Sequence, residues 1–97
     1  MSVTIEDQAR AILSPVLGEC IRQRTAAGVA KYGQTLDDNH QPRRAKIVHL
    51  VQELLDGVQY ALWVGYPDIA DRLASEADAL ADLFGLTAEE IMEGGKQ

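Results

Sequence analysis

His49, Glu53, Asp56 and Tyr60 recur at i, i+4, i+7 and i+11. That spacing stacks four polar side chains in one stripe along an α-helix. Upstream lie Arg22, Arg24 and the run Lys31-Tyr32-Gly33. A carboxylate pair on one helix face can hold a divalent cation such as Mg²⁺ or Mn²⁺, and a cation beside a basic segment can hold a phosphate. Arginine grips phosphate in two-pronged fashion and lysine acts as a point charge. Tyr32 or Trp63 can stack on a base. Together these residue types suggest a nucleotide-phosphate site. Each has a plainer role as well. Glu-x-x-Asp pairs are mostly solvated charge, His49 fits a surface rim, Tyr60 and Tyr32 fit packing, and Lys31 suits the negative end of its helix.

A second acidic pair, Asp68 and Asp71, follows eleven residues after Asp56. Two carboxylate pairs on neighbouring antiparallel helices make an oxygen cage. Acids in a first helical turn are also favoured by the helix dipole alone. Glu76, Asp78 and Asp82 offer further carboxylates on the same segment.

The elements that must position these groups read as all-α. No stretch alternates in the two-residue rhythm of a strand. A first helix is expected from near Thr4, with Ile5, Ala9, Ile12 and Leu13 inward, interrupted at Ser14-Pro15 because proline disfavours helix at the residue before it. The next helix places Val16, Leu17, Cys20 and Ile21 inward and ends near Gly33, a plausible C-terminal cap. Gln34 to Pro42 is a loop, longer than bundle connections usually are. A central helix spans about Arg43 to Val64, with Ile47, Leu50, Val51, Leu54, Leu55, Val58, Ala61 and Leu62 over a wide apolar arc. Gly65-Tyr66-Pro67 breaks the chain, and Pro67 opens a helix to about Phe84 with Ile69, Leu73, Ala77, Leu80 and Phe84 on one face. Thr87 and Glu90 read as a capping box for a last short helix.

The expected architecture is a single domain, residues 1–97, folded as a small bundle of about four helices, with residues 1–14 as the N-terminal helix and 94–97 as a frayed tail. An arc this broad on a 97-residue chain is hard to cover from within, which favours completion by homo-oligomerisation, a dimer or higher.

Charge limits the choice of partner. The net charge is −6, which argues against duplex nucleic acid. The charge is unevenly spread: six of the nine Lys and Arg residues lie between Arg22 and Lys46. That separates a basic middle from an acidic end, although solubility alone would also account for it. Cys20 has no internal partner and reads as a buried small hydrophobe. No apolar leader core follows the start and no run is long enough to span a bilayer, so a cytoplasmic location and no membrane association are expected.

The run Arg22-x8-Lys31-Tyr32-Gly33-x2-Leu36, then His49-x3-Glu53-x2-Asp56-x3-Tyr60, resembles the small MazG-like proteins of bacteriophages. These belong to the all-α nucleoside triphosphate pyrophosphohydrolase superfamily. Residues from about Ile21 to Leu62 carry the resemblance, and the stretch from Leu80 to Glu90 looks like the end of longer MazG domains. The resemblance implies an oligomerising helical bundle and Mg²⁺-dependent cleavage of a (deoxy)nucleoside triphosphate to monophosphate and pyrophosphate. It implies Glu53 and Asp56 as metal ligands and catalytic groups, with Asp68 and Asp71 as further ligands. Lys31 and the nearby Arg22 and Arg24 would hold phosphate oxygens, with Tyr32, His49 and Tyr60 completing the nucleotide site. The family signature is Glu-x-x-Glu, a spacer, then Glu-x-x-Asp. Glu53-x-x-Asp56 can stand for either half, and Asp68 with Asp71 supplies a second half only in the first case. Two other functions fit the same residues: a catalytically inactive nucleotide binder that sequesters a signalling nucleotide, and a helical protein-interaction module.

Overall fold

Local capping chemistry sets the element boundaries. The computed structural model describes residues 3–93. The expected frayed tail at 94–97 and the first two residues of the N-terminal segment lie outside them. The described residues form five α-helices and one 3-10 turn, with no strand among them. The chain divides into two units, Met1–His40 and Gln41–Gln97.

In the first unit α1 spans Ile5–Ala11 and α2 spans Pro15–Tyr32. The Thr4 hydroxyl accepts the Asp7 N–H at 3.0 Å, and Glu6 and Asp7 sit at the positive end of the α1 dipole. Ser14 caps α2, whose first residue is Pro15, where a missing N–H costs nothing. Gly33 ends α2 with φ 77°, a left-handed conformation that glycine adopts without a Cβ clash. The helices meet where Gly18, the buried residue of α2, lies against Arg10; a Cβ built there would stand 3.7 Å from the Arg10 side chain. A 3-10 turn at Leu36–Asp38 interrupts the expected loop. Its Asp37 carboxylate accepts the Ile5 N–H at 3.1 Å, so the loop supplies a cap to the start of α1.

In the second unit α3 spans Arg43–Trp63, α4 Pro67–Phe84 and α5 Ala88–Glu93. Gly65, at φ 90°, reverses the chain between α3 and α4, and the Tyr66 N–H closes the turn on the Ala61 carbonyl at 2.8 Å. The two helices form an antiparallel hairpin. Its core is Val48, Val51 and Ala61 from α3 with Ala70 and Ala77 from α4. Leu54, Val58, Leu73, Leu80 and Phe84 are half-buried around it. Gly57 lets the helices approach closely: a Cβ there would come 3.1 Å from Leu73 Cδ1. The Arg44 guanidinium ties α5 to the hairpin. It bonds the Glu90 carboxylate, and its Nη1 donates to the Phe84 carbonyl at 2.9 Å, meeting an open carbonyl at the end of α4. Gln52 donates to the Ile91 carbonyl on the same side.

Several inward assignments do not hold. Ile5, Ile12, Val16, Leu17 and Cys20 are exposed, Ile12 at 86%, as are Leu50, Leu55, Leu62 and Ile69 in the second unit. Periodicity marked these residues as apolar, but it could not supply an element to cover them. Cys20 is therefore a surface thiol rather than a core residue. No described helix is long and apolar enough to cross a membrane.

Candidate functional site

The stripe on α3 is real and faces outward. At about 100° per residue, His49, Glu53, Asp56 and Tyr60 fall within a narrow sector. Val48, Val51, Leu54, Val58 and Ala61 occupy the sector opposite, against α4. All four stripe residues are exposed. His49 Nε2 lies 3.7 Å from Glu53 Oε1 across one helical turn, and both side chains are about two-thirds exposed. In water such a pair is weak, so Glu53 remains available to a cation or a donor. Trp63 extends the stripe by three residues and is 82% exposed.

The second acidic pair is placed differently. Ala70, Leu73, Ala77 and Leu80 mark the side of α4 that meets α3. By helical spacing Asp68 and Asp71 lie on its outward side, and both are exposed. Glu53 and Asp56 therefore point away from α4, while Asp68 and Asp71 point away from α3. No group of three or more His, Cys, Asp or Glu side chains converges among the described residues. Among the described residues, the hairpin does not by itself assemble the cage that a Mg²⁺ or Mn²⁺ ion would need.

The cations expected to hold phosphate, Arg22, Arg24 and Lys31, belong to the first unit. Arg22 is engaged by Glu19, its Nη2 2.6 Å from Oε1. The guanidinium, helped by Gln23, pulls the Glu19 carboxyl down to about 2, and the carboxylate raises Arg22 further above its ordinary value. Arg22 would have to leave this pair to hold a phosphate. Arg24 is exposed. Lys31 Nζ stands 5.1 Å from the centroid of the Tyr32 ring, a cation–π contact at the end of α2. Both side chains are exposed at the helix terminus, beside the loop they were expected to flank.

Sequence reasoning passed over Arg44. It stood in the basic run with nothing to separate it from its neighbours, yet it has the most partners of that run. The Glu90 carboxyl is held below its usual range by the Arg44 bond, and Arg44 is raised in turn. The expected capping box forms in one direction: the Glu90 N–H reaches the Thr87 hydroxyl at 3.1 Å, while the Glu90 side chain turns to Arg44. An open cleft of about 470 Å³ lies beside this pair, lined by Glu89, Glu90 and Glu93 among others. Its carboxylates make it unsuited to an anion.

No family model, curated protein or solved structure matches this chain.

Proposed function

We propose that this chain is a MazG-like nucleotide pyrophosphohydrolase, acting as a homo-oligomer in the cytoplasm of a phage-infected cell. The reaction is attack of water on a phosphorus of a (deoxy)nucleoside triphosphate, breaking the α–β phosphoanhydride and releasing a nucleoside monophosphate and pyrophosphate. The support is the outward stripe of α3. Glu53 and Asp56 are exposed and held at fixed spacing by a helix whose other side is packed, with His49 and Tyr60 beside them. Glu53 and Asp56 are the acidic groups of this reading. Arg22, Arg24, Lys31 and Tyr32 are assigned to the phosphates and the base by the family resemblance alone, Arg22 after leaving Glu19.

A second reading is a nucleotide binder without turnover. It is favoured by the divergence of Asp68 and Asp71 from Glu53 and Asp56, since fewer converging carboxylates hold a cation more weakly. One experiment separates the readings. Nucleoside triphosphates are screened for thermal stabilisation with Mg²⁺ or Mn²⁺, and every hit is assayed for pyrophosphate. The enzyme reading expects release that Glu53→Gln abolishes without loss of helicity. Stabilisation with no pyrophosphate selects the binder. Neither effect removes both readings and leaves an interaction module.

A further inference from the structure

The outward stripe of α3 changes character toward its C-terminal end. Lys46 begins it, His49, Glu53 and Asp56 follow, and Tyr60 and Trp63 finish it, each step three or four residues. Beyond Lys46 the chain has no lysine or arginine until Arg72, while Glu53, Asp56, Asp68 and Asp71 all fall in that interval. Three of the chain's four tyrosine and tryptophan residues fall there too, Tyr60, Trp63 and Tyr66. All three are at least 60% exposed. The face of such a ring is negative and attracts a cation. In the first unit the chain answers that attraction itself, with Lys31 Nζ 5.1 Å from the Tyr32 centroid. On α3 it does not. Lys46 lies fourteen residues before Tyr60, about 21 Å along the axis, and among the described residues no cation stands over Tyr60 or Trp63. Asp56 and Tyr60, at i and i+4, and Tyr60 and Trp63, at i and i+3, are neighbours on the helix surface. The exposed C-cap residue Val64 adjoins Tyr60 by the same spacing.

We infer that this face binds an arginine-bearing helix of another protein. A guanidinium is planar, so it stacks on an indole or phenol face, and its fork pairs with a carboxylate through two parallel bonds. The stripe offers a seat for each use. Glu53 and Asp56 form one, and Tyr60 and Trp63 form the other. Their centres are seven residues apart, about 10.5 Å of helix rise. Arginines at i and i+7 of a second helix leave one side of it at that same separation. Val64 gives apolar surface to an arginine stem, which packs while its head stays polar. Charge selects this occupant over others. Four carboxylates with no cation among them repel an anionic lipid surface or a nucleic-acid backbone and attract a basic segment. Tyrosine and tryptophan are also the residue types that carry much of the binding energy where proteins meet. The inference does not rest on the nucleotide reading. Glu53 and Asp56 serve both, so its test contains neither metal nor nucleotide.

The test is an amide NMR titration of the full chain with an alanine-based helical peptide carrying arginines at i and i+7. Shifts are expected at residues 53–64, with a dissociation constant below about 1 mM. The same peptide with glutamine for both arginines should not bind. Arginines at i and i+5 leave different sides of the peptide helix and should bind about fivefold more weakly. Trp63→Leu keeps an apolar side chain but loses the ring, and should weaken binding about fivefold. Asp56→Asn should weaken it about threefold and flatten its salt dependence. Far-UV circular dichroism checks that helicity is kept; if Trp63→Leu loses it, Tyr60→Leu takes its place with the same expectation. Absence of binding at 53–64 overturns the inference, as does equal binding of the glutamine peptide or of the ring variant. Two other occupants are also read out. Broadening of residues 60–66 by phosphatidylcholine vesicles would make this end a lipid contact, and shifts at 53–64 that follow the protein's own concentration would make it a contact with a second copy. Either result overturns the inference.

Discussion

Gly57 is the position where two effects of similar size oppose each other. Replacing a mid-helix glycine with alanine stabilises by about 1 kcal/mol, because the unfolded chain loses freedom and helix propensity rises. Against that, the new methyl would lie 3.1 Å from Leu73 Cδ1, a few tenths of an ångström inside ordinary contact. The opposing atom is the far end of a half-buried leucine. A small χ rotation relieves it at about 0.5 kcal/mol. Gly57→Ala is therefore expected to stabilise by about 0.5 kcal/mol, or roughly 2–4 °C in Tm for a unit of this size. Gly57→Ile asks for far more room and should destabilise by about 1–3 kcal/mol. Gly28→Ala in the first unit meets nothing within 4 Å and keeps the whole gain. Urea titration followed by far-UV circular dichroism reads all three. A destabilising Gly57→Ala would refute the reasoning, because the leucine would then be locked and the α3–α4 approach set by a rigid contact.

Val51 is the most deeply buried side chain, at 2% exposure, and Val51→Ala should cost about 2 kcal/mol in the same titration. Gly65→Ala forces a Cβ into the left-handed region at φ 90° and should destabilise the hairpin by about 1 kcal/mol. Glu90→Gln removes the charge that holds Arg44; α5 should then exchange its amide protons faster while α3 and α4 keep theirs. Acid should act on the same pairs. The Glu19 and Glu90 carboxyls are depressed in the folded state, so their contribution is complete above the ordinary carboxylate value near 4.5 and fades as pH falls, for Glu19 toward about 2. A pH titration of helicity should show this loss on the acid side, with the Glu19 part missing from Glu19→Gln.

Boundaries were legible in the sequence because their physics is local. Thr4, Ser14-Pro15, Gly33 and Pro67 each act on a neighbouring turn, and each marks a helix end. Burial was less legible because it depends on what an apolar face meets. Val16, Leu17 and Cys20 have the spacing of a core face, yet they lie open. The site divides along the same line. Spacing within one helix fixed the stripe from His49 to Tyr60. Whether Asp68 and Asp71 join it depended on how α4 is rotated about its axis, and Ala70, too small to stand out in a pattern, sets that rotation together with Ala77. Arg44 was hidden for a related reason, since its partners are some forty residues away in the chain.

Trp63 is the chain's one tryptophan, and it stands in solvent at the last turn of α3. Its indole already has nearly the surroundings it would have in a denatured chain, so its emission maximum should barely move during unfolding. That makes it a quiet background against which any molecule covering that end of the rod would register as a blue shift. The protein thus carries its own optical probe, silent to melting and responsive to contact.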